Sequence, residues 1–318
     1  MQRGLVSGGA LVVLAAGHLS CAGGSGGSPT TPALTTLRSN GWPAGTVVTV
    51  VSGETEAPVA GARVGVAGAS QATDDAGQTV VQACTEGTAV DVEAPGFLAR
   101  QTLARSAVTR LTLWPEHAKL PREYTKTLVY TASMTADSTS VVPLERLPPR
   151  VRAVALAPSR ALAADPLSMA AHRRAADYFN VAVDGRTVVL VGGAADMTVP
   201  TRIDADDASC EAKPGRLLAR TWVSGYEVTR AEIIFCGERP SRLPTPIAHE
   251  LGHVFGLAHS PDRRDVMYAY YNSRNQRGFS ERETLTMSLI HLRRAGNVWP
   301  DNDRAAAPRG IWRREFVD

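Results

Sequence analysis

His249-Glu250-Leu251-Gly252-His253-Val254-Phe255-Gly256-Leu257-Ala258-His259 is the stretch on which the fold turns. A helix advances about 100° per residue, so His249 and His253 lie about 40° apart on one face and can share a single metal ion. Glu250 flanks that face, where a carboxylate reaches a water beside the metal without taking a coordination position. Ile247, Leu251, Val254 and Phe255 fall on the far side, giving a helix with metal on one face and core on the other. Upstream, Thr245 reads as an N-cap and Pro246 as the first helical residue. Downstream, Gly256 accepts the left-handed conformation that ends a helix, and the resulting turn brings His259 back as a third ligand. Three nitrogen ligands with a fourth position open form the pattern of a catalytic zinc ion.

This spacing, followed by Met267, resembles the metzincins. Ser260 directly after the third histidine, then Met267-Tyr268 and Tyr271, make the resemblance one to the matrixin branch. It implies an α+β catalytic domain: a twisted mixed sheet, the active-site helix, a methionine turn and a C-terminal helix. It also implies that His249, His253 and His259 hold one Zn²⁺, that Glu250 is the general base, and that Met267 forms an apolar floor without coordinating. Substrate would pair as an extra strand along the edge strand Leu217 to Thr221, through Leu218, Ala219 and Arg220, with Tyr271 walling the main side-chain pocket. Two departures limit the borrowing. Ala269 stands where matrixins usually carry Pro, and no histidine lies between His172 and His249 to hold their second, structural zinc. The matrixin latency cysteine motif is missing as well.

The segments before the helix fit that order. Asp165 caps a helix that opens at Pro166 and runs to about Asn180, with Leu167, Ala171, Ala175 and Tyr178 on one face and His172 between them on the surface. Strands are expected at 126–130, 150–157, 187–191, 195–199, 217–223 and 229–235. Ser280 with Glu283 forms a capping box for a last helix ending at Gly296, with His291 on its surface. The final residues read as a polar tail packed through Trp299 and Trp312.

Further upstream, short β-runs at 46–51, 62–66, 79–81, 89–93 and 109–114 are separated by turn signals at the spacing of a small sandwich. Pro58-Val-Ala-Gly61-Ala-Arg-Val64, Ala72-Thr-Asp74-Asp-Ala-Gly77 and Ala94-Pro-Gly96-Phe97 resemble the carboxypeptidase-regulatory-like family, which implies an accessory β-sandwich. Residues 1–20 read as an export signal, with Cys21 placed for lipidation and hence for a membrane anchor. A Gly/Ser/Pro linker spans 21–44, the sandwich 45–118, the catalytic domain 119–300 with its boundary near Leu120, and a tail 301–318. Export places the protein at the cell surface or outer membrane if lipidated, and in the medium otherwise. Among the three cysteines beyond Cys21, Cys210 and Cys236 flank one predicted sheet segment and are expected to pair in an oxidising compartment. Cys84 reads as a small apolar core residue or as a cap on the metal.

With 34 Lys+Arg against 31 Asp+Glu, the net charge of +3 implies no nucleic-acid partner. Asp204, Asp206 and Asp207 offer oxygens to Ca²⁺, or form a solvated acidic loop. The chain is thus expected to be a monomeric zinc endopeptidase acting on protein or peptide substrates. The alternative is a surface-anchored adhesion protein whose sandwich binds a partner beside a weak or inactive protease domain.

Overall fold

The computed structural model describes residues 41–116, 143–183, 185–211, 216–269, 278–298, 301–303 and 309–317. The expectations for Cys21, residues 21–40 of the linker, Leu120, the strand at 126–130, Tyr271 and Trp299 lie outside these residues, whereas residues 41–44 of the expected linker are described and Trp42 is buried in the first core with its Nε1 donating to Arg105 O at 2.8 Å. The described residues belong to one compact unit spanning 39–318.

Its first part holds seven strands: β1 (Thr46–Ser52), β2 (Arg63–Val66), β3 (Ala69–Ala72), β4 (Gln78–Val81), β5 (Ala89–Glu93), β6 (Arg100–Leu103) and β7 (Arg110–Leu113). They form two sheets, ordered β4-β1-β7 and β3-β2-β5-β6. β5 shows why: its residues alternate exposed and buried, sending Val90 and Val92 inward and Asp91 outward. Val48 and Val50 from the first sheet and Val64, Val66, Val90 and Val92 from the second enclose a common core. Gly77 turns the chain into β4 at φ 70°, while the Asp74 carboxylate accepts the amides of Ala76 and Gln78. The reading of the sequence passes over β3 and β6, whose residues Ala-Ser-Gln-Ala and Arg-Gln-Thr-Leu lack the alternation that marks a half-buried strand.

The second part is built on β8 (Ala153–Pro158), β9 (Val188–Val191), β10 (Met197–Ile203), β11 (Leu217–Ser224), β12 (Glu227–Phe235) and β13 (Ile311–Val317). The sheet order is β13-β11-β12-β10-β8-β9. β9, β8, β10 and β12 run parallel, while β11 is antiparallel to both its neighbours, β12 and β13. The helices are α1 (Arg160–Ala164), α2 (Pro166–Ala182), α3 (Ala208–Glu211), α4 (Glu238–Ser241), α5 (Pro244–Phe255) and α6 (Glu281–Leu292). α5 carries the motif and packs on α2, β11 and β12, with Phe255 against Phe179 of α2 at 4.7 Å.

Several expectations are corrected. α5 starts at Pro244 rather than Pro246, because Leu243 before a proline is held extended at φ −120°, ψ 126°, and proline's missing N–H is no loss at the first helical position. His172 is buried, not on the surface: its Nδ1 meets Ser168 O at 2.7 Å and its Nε2 meets Thr201 Oγ1 at 3.0 Å, tying α2 to β10. His291 is also withdrawn, bonded to Met287 O, and its pKa is pushed down to about 4, chiefly by burial. α6 ends at Leu292, short of Gly296, because Arg293 leaves the helix to enter a buried ion cluster. Within the expected polar tail, Ile311–Val317 form a strand, β13.

That cluster fastens the sandwich to the rest. Arg293 Nε meets Asp301 Oδ1 at 2.7 Å, and its Nη1 donates to Thr112 Oγ1 on β7. Arg100 of β6 pairs with Asp303 at 3.3 Å, and Thr102 donates to the same carboxylate at 2.6 Å. Asn297 bridges both acids through Nδ2. Burial pulls the Arg293 pKa down to about 10. Arg293→Ala leaves Asp301 with an uncompensated buried charge, and a loss of about 3–5 kcal/mol is expected in urea unfolding of the full chain.

α6 acts on the motif through its cap. Ser280 accepts the Glu283 amide, and Glu283 in return accepts the Ser280 amide with one oxygen and the Met267 amide with the other, both at 2.7 Å. Burial, with a contribution from Asp265, pushes the Glu283 pKa up to about 7 from 4.5. Between those values the folded chain keeps a proton that the unfolded chain releases, so this group's contribution to stability falls as pH rises from about 4.5 to 7. The expected slope is at most about 1.4 kcal/mol per pH unit. Urea midpoints across this range should show the slope in the wild type and lose it in Glu283→Gln; parallel profiles would refute the assignment.

Candidate metal centre

α5 ends where Gly256 turns left-handed at φ 100°, and the Leu257 amide closes back on Gly252 O at 2.9 Å. A side chain at Gly256 would collide with Glu145 O, so the reversal requires glycine twice over. It carries the chain back across the helix and sets His259 beside His249 and His253.

The three Nε2 atoms stand 3.1, 3.1 and 3.2 Å apart. His249 Nδ1 lies 2.7 Å from Val266 O, and His253 Nδ1 lies 2.8 Å from Leu257 O. A carbonyl only accepts, so both Nδ1 atoms donate their protons, and in the neutral rings Nε2 carries the lone pair. Converging lone pairs repel one another unless a cation lies between them. Zn–N bonds of about 2.0–2.1 Å in tetrahedral geometry separate their ligands by about 3.3 Å, so the donor set fits the ion. Among the described residues this triad is the one group of three His, Cys, Asp or Glu side chains able to hold a metal.

Glu250 is buried, one residue after His249. Met267 is buried under α5, so close that a Cβ on Gly252 would run into its sulfur. Besides Glu283, the loop holding it is fixed by Ser260 N donating to Met267 O at 2.6 Å and Ser260 Oγ donating to Asp265 at 2.6 Å. Arg282 of α6 bridges Asp262 and Asp265. Sequence reading found Glu283 as a cap and missed this second task, which only the folded return of the loop reveals.

Leu218 and Ala219 are buried on β11. Arg220 is clamped by Asp207 at 2.6 and 2.8 Å and by Glu315 at 2.6 Å. These contacts hold the Asp207 carboxyl down at about 2, first through its hydrogen bonds to Arg220. Asp204 pairs with Arg202, so two of the three carboxylates considered for calcium are engaged by arginines. The expectation that β11 is the sheet's edge is corrected. β13 lies along it from Ser224↔Ile311 to Leu218↔Val317, and the Phe316 ring stacks on His253 with centroids 4.1 Å apart and planes 4° from parallel. The run Trp-Arg-Arg-Glu-Phe breaks the apolar alternation, which is why the sequence hid this strand.

Cys210 and Cys236 are joined, with Cα atoms 5.3 Å apart, and pack with Leu218 and Ile234. Cys84 rests against the sandwich core, outside the histidine group.

The Matrixin family profile matches residues 179–285, a span that takes in α5, the triad and the methionine turn. A solved structure, metalloproteinase-II from Bacteroides fragilis, is similar at 12% identity over 77% of this chain and 87% of that chain, with a TM-score of 0.29, a likeness too slight to build on. No curated protein matches the chain. On the family match and the donor geometry together, residues 179–285 are matrixin-like, which supports a zinc metalloprotease in general.

Proposed function

We propose that the protein is an exported endopeptidase that cleaves internal peptide bonds of proteins, with Glu250 as general base. The observation that carries the reading is the convergence of three histidine Nε2 atoms, two of them on rings oriented by backbone carbonyls and borne by the same helix as a buried Glu250. Zinc held there would supply Lewis acidity, for polarising a peptide carbonyl and lowering the pKa of a water to about 7.

The remaining work falls to the chain's own groups. His249, His253 and His259 would hold the ion. The Glu250 carboxylate takes the proton of the attacking water and returns it to the leaving nitrogen, first as base and then as acid. Met267 keeps the underside of the triad apolar. The backbone of Leu218, Ala219 and Arg220 would align an extended substrate by strand addition only once β13 leaves that side of β11. Export is supported by the Cys210–Cys236 bond, which persists in an oxidising compartment, and is consistent with the leader-like first twenty residues.

Zinc-loaded protein is expected to cleave casein or gelatin, to stop on treatment with 1,10-phenanthroline, and to recover with added zinc. Glu250→Ala should lose about 10²–10⁴-fold in turnover while its zinc content, measured by mass spectrometry, stays at the wild-type level. Wild-type turnover in zinc-loaded Glu250→Ala would overturn the general-base assignment.

A further inference from the structure

β13 uses the same backbone edge of β11 that an incoming peptide needs. The pairing is antiparallel over seven residues, and it sets Phe316 opposite Ala219 and Glu315 opposite Arg220. Each of these two residues makes a specific contact. Glu315 takes Arg220 Nε at 2.6 Å and the Ser209 hydroxyl, and Phe316 lies flat on His253, one of the three rings that face the metal position. The start of the strand is moored elsewhere. Trp312 Nε1 donates to Glu145 Oε1 at 2.9 Å, Arg314 Nε pairs with Glu145 Oε2, and the Trp312 ring meets Tyr226 edge-on at 5.7 Å. The mooring holds the strand at high local concentration over the edge, while its far end reaches the triad.

A strand edge has one set of outward N–H and C=O groups, so β13 and an extended substrate exclude each other on β11. We infer that β13 is a pseudosubstrate strand: the chain's own C-terminal segment fills the peptide groove, and substrate enters only when residues 315–317 lift away or are removed. This rests on the reading of β11 as the strand that aligns substrate.

The test uses three proteins: the full chain, the full chain with Phe316→Ala, and a chain ending at Arg309. The probe is a fluorescein-labelled peptide with the sequence of residues 310–318, titrated into zinc-free protein and followed by anisotropy. The truncated chain is expected to bind it saturably and at least tenfold more tightly than the full chain. Phe316→Ala should fall between them. With zinc, casein cleavage should rise at least tenfold on truncation, and the peptide added in trans should compete with casein. No binding to the truncated chain, or equal binding to the truncated and full chains, overturns the inference. Binding as expected with no casein cleavage by any of the three overturns the endopeptidase reading and leaves the occupied groove standing.

Truncation strips Glu145 of two partners while it stays buried and can unfold the chain. In that event Phe316→Ala, which keeps both moorings, decides by hydrogen exchange. The β11 amides should exchange at least tenfold faster than in the full wild-type chain, and casein turnover should rise. Unchanged exchange with unchanged turnover makes β13 a fixed sixth strand and overturns the inference.

Discussion

Three imidazole nitrogens are held little more than 3 Å apart, and on His249 and His253 the carbonyl-bound Nδ1 turns the Nε2 lone pair inward, a crowding that a cation between them offsets. Most of what surrounds the triad serves to impose that crowding. α5 supplies two rings on one face, Gly256 reverses the chain to deliver the third, and carbonyls of the returning loop take the outer nitrogens of His249 and His253. The loop is itself fixed from behind, at its backbone by Glu283 and through Asp265 by Ser260 and Arg282. A metal held there would offset that crowding, so the folded chain would gain stability from the ion as well as chemistry.

The parts of this arrangement governed by local rules were legible in the sequence. Histidine spacing gave the shared face of α5, Gly256 gave its end, and Asp165 and the Ser280–Glu283 pair gave the starts of α2 and α6. Each of these depends on residues within one or two turns of one another. The pairing of Cys210 with Cys236 was also anticipated, because both flank elements of one sheet.

The misreadings share a physical origin in contacts made at long sequence range. His172 looks solvent-facing on a helical wheel, but α2 is covered on more than one side, and Ser168 and Thr201 satisfy both ring nitrogens. Arg293 looks like a continuation of α6 until Asp301 and Thr112 draw it out. β13 has no strand signature, since its register is set by Glu145 and Arg220, 167 and 95 residues away from the groups they bind. A buried polar partner overrides local propensity in each case, because leaving such a group unsatisfied costs more than bending the local pattern.

The cover on β11 also bears on solubility. Without β13, the sheet would end in an eight-residue strand with buried-type residues at Leu217, Leu218, Ala219 and Val223, a ready template for edge-to-edge association with another chain. With β13 in place the terminal edge is a seven-residue strand carrying Arg313, Arg314 and Glu315, charges of the kind that discourage further strand addition. Any event that frees β11 for one extended chain frees it equally for unwanted ones, so exposure of this edge ties peptide access to the risk of aggregation.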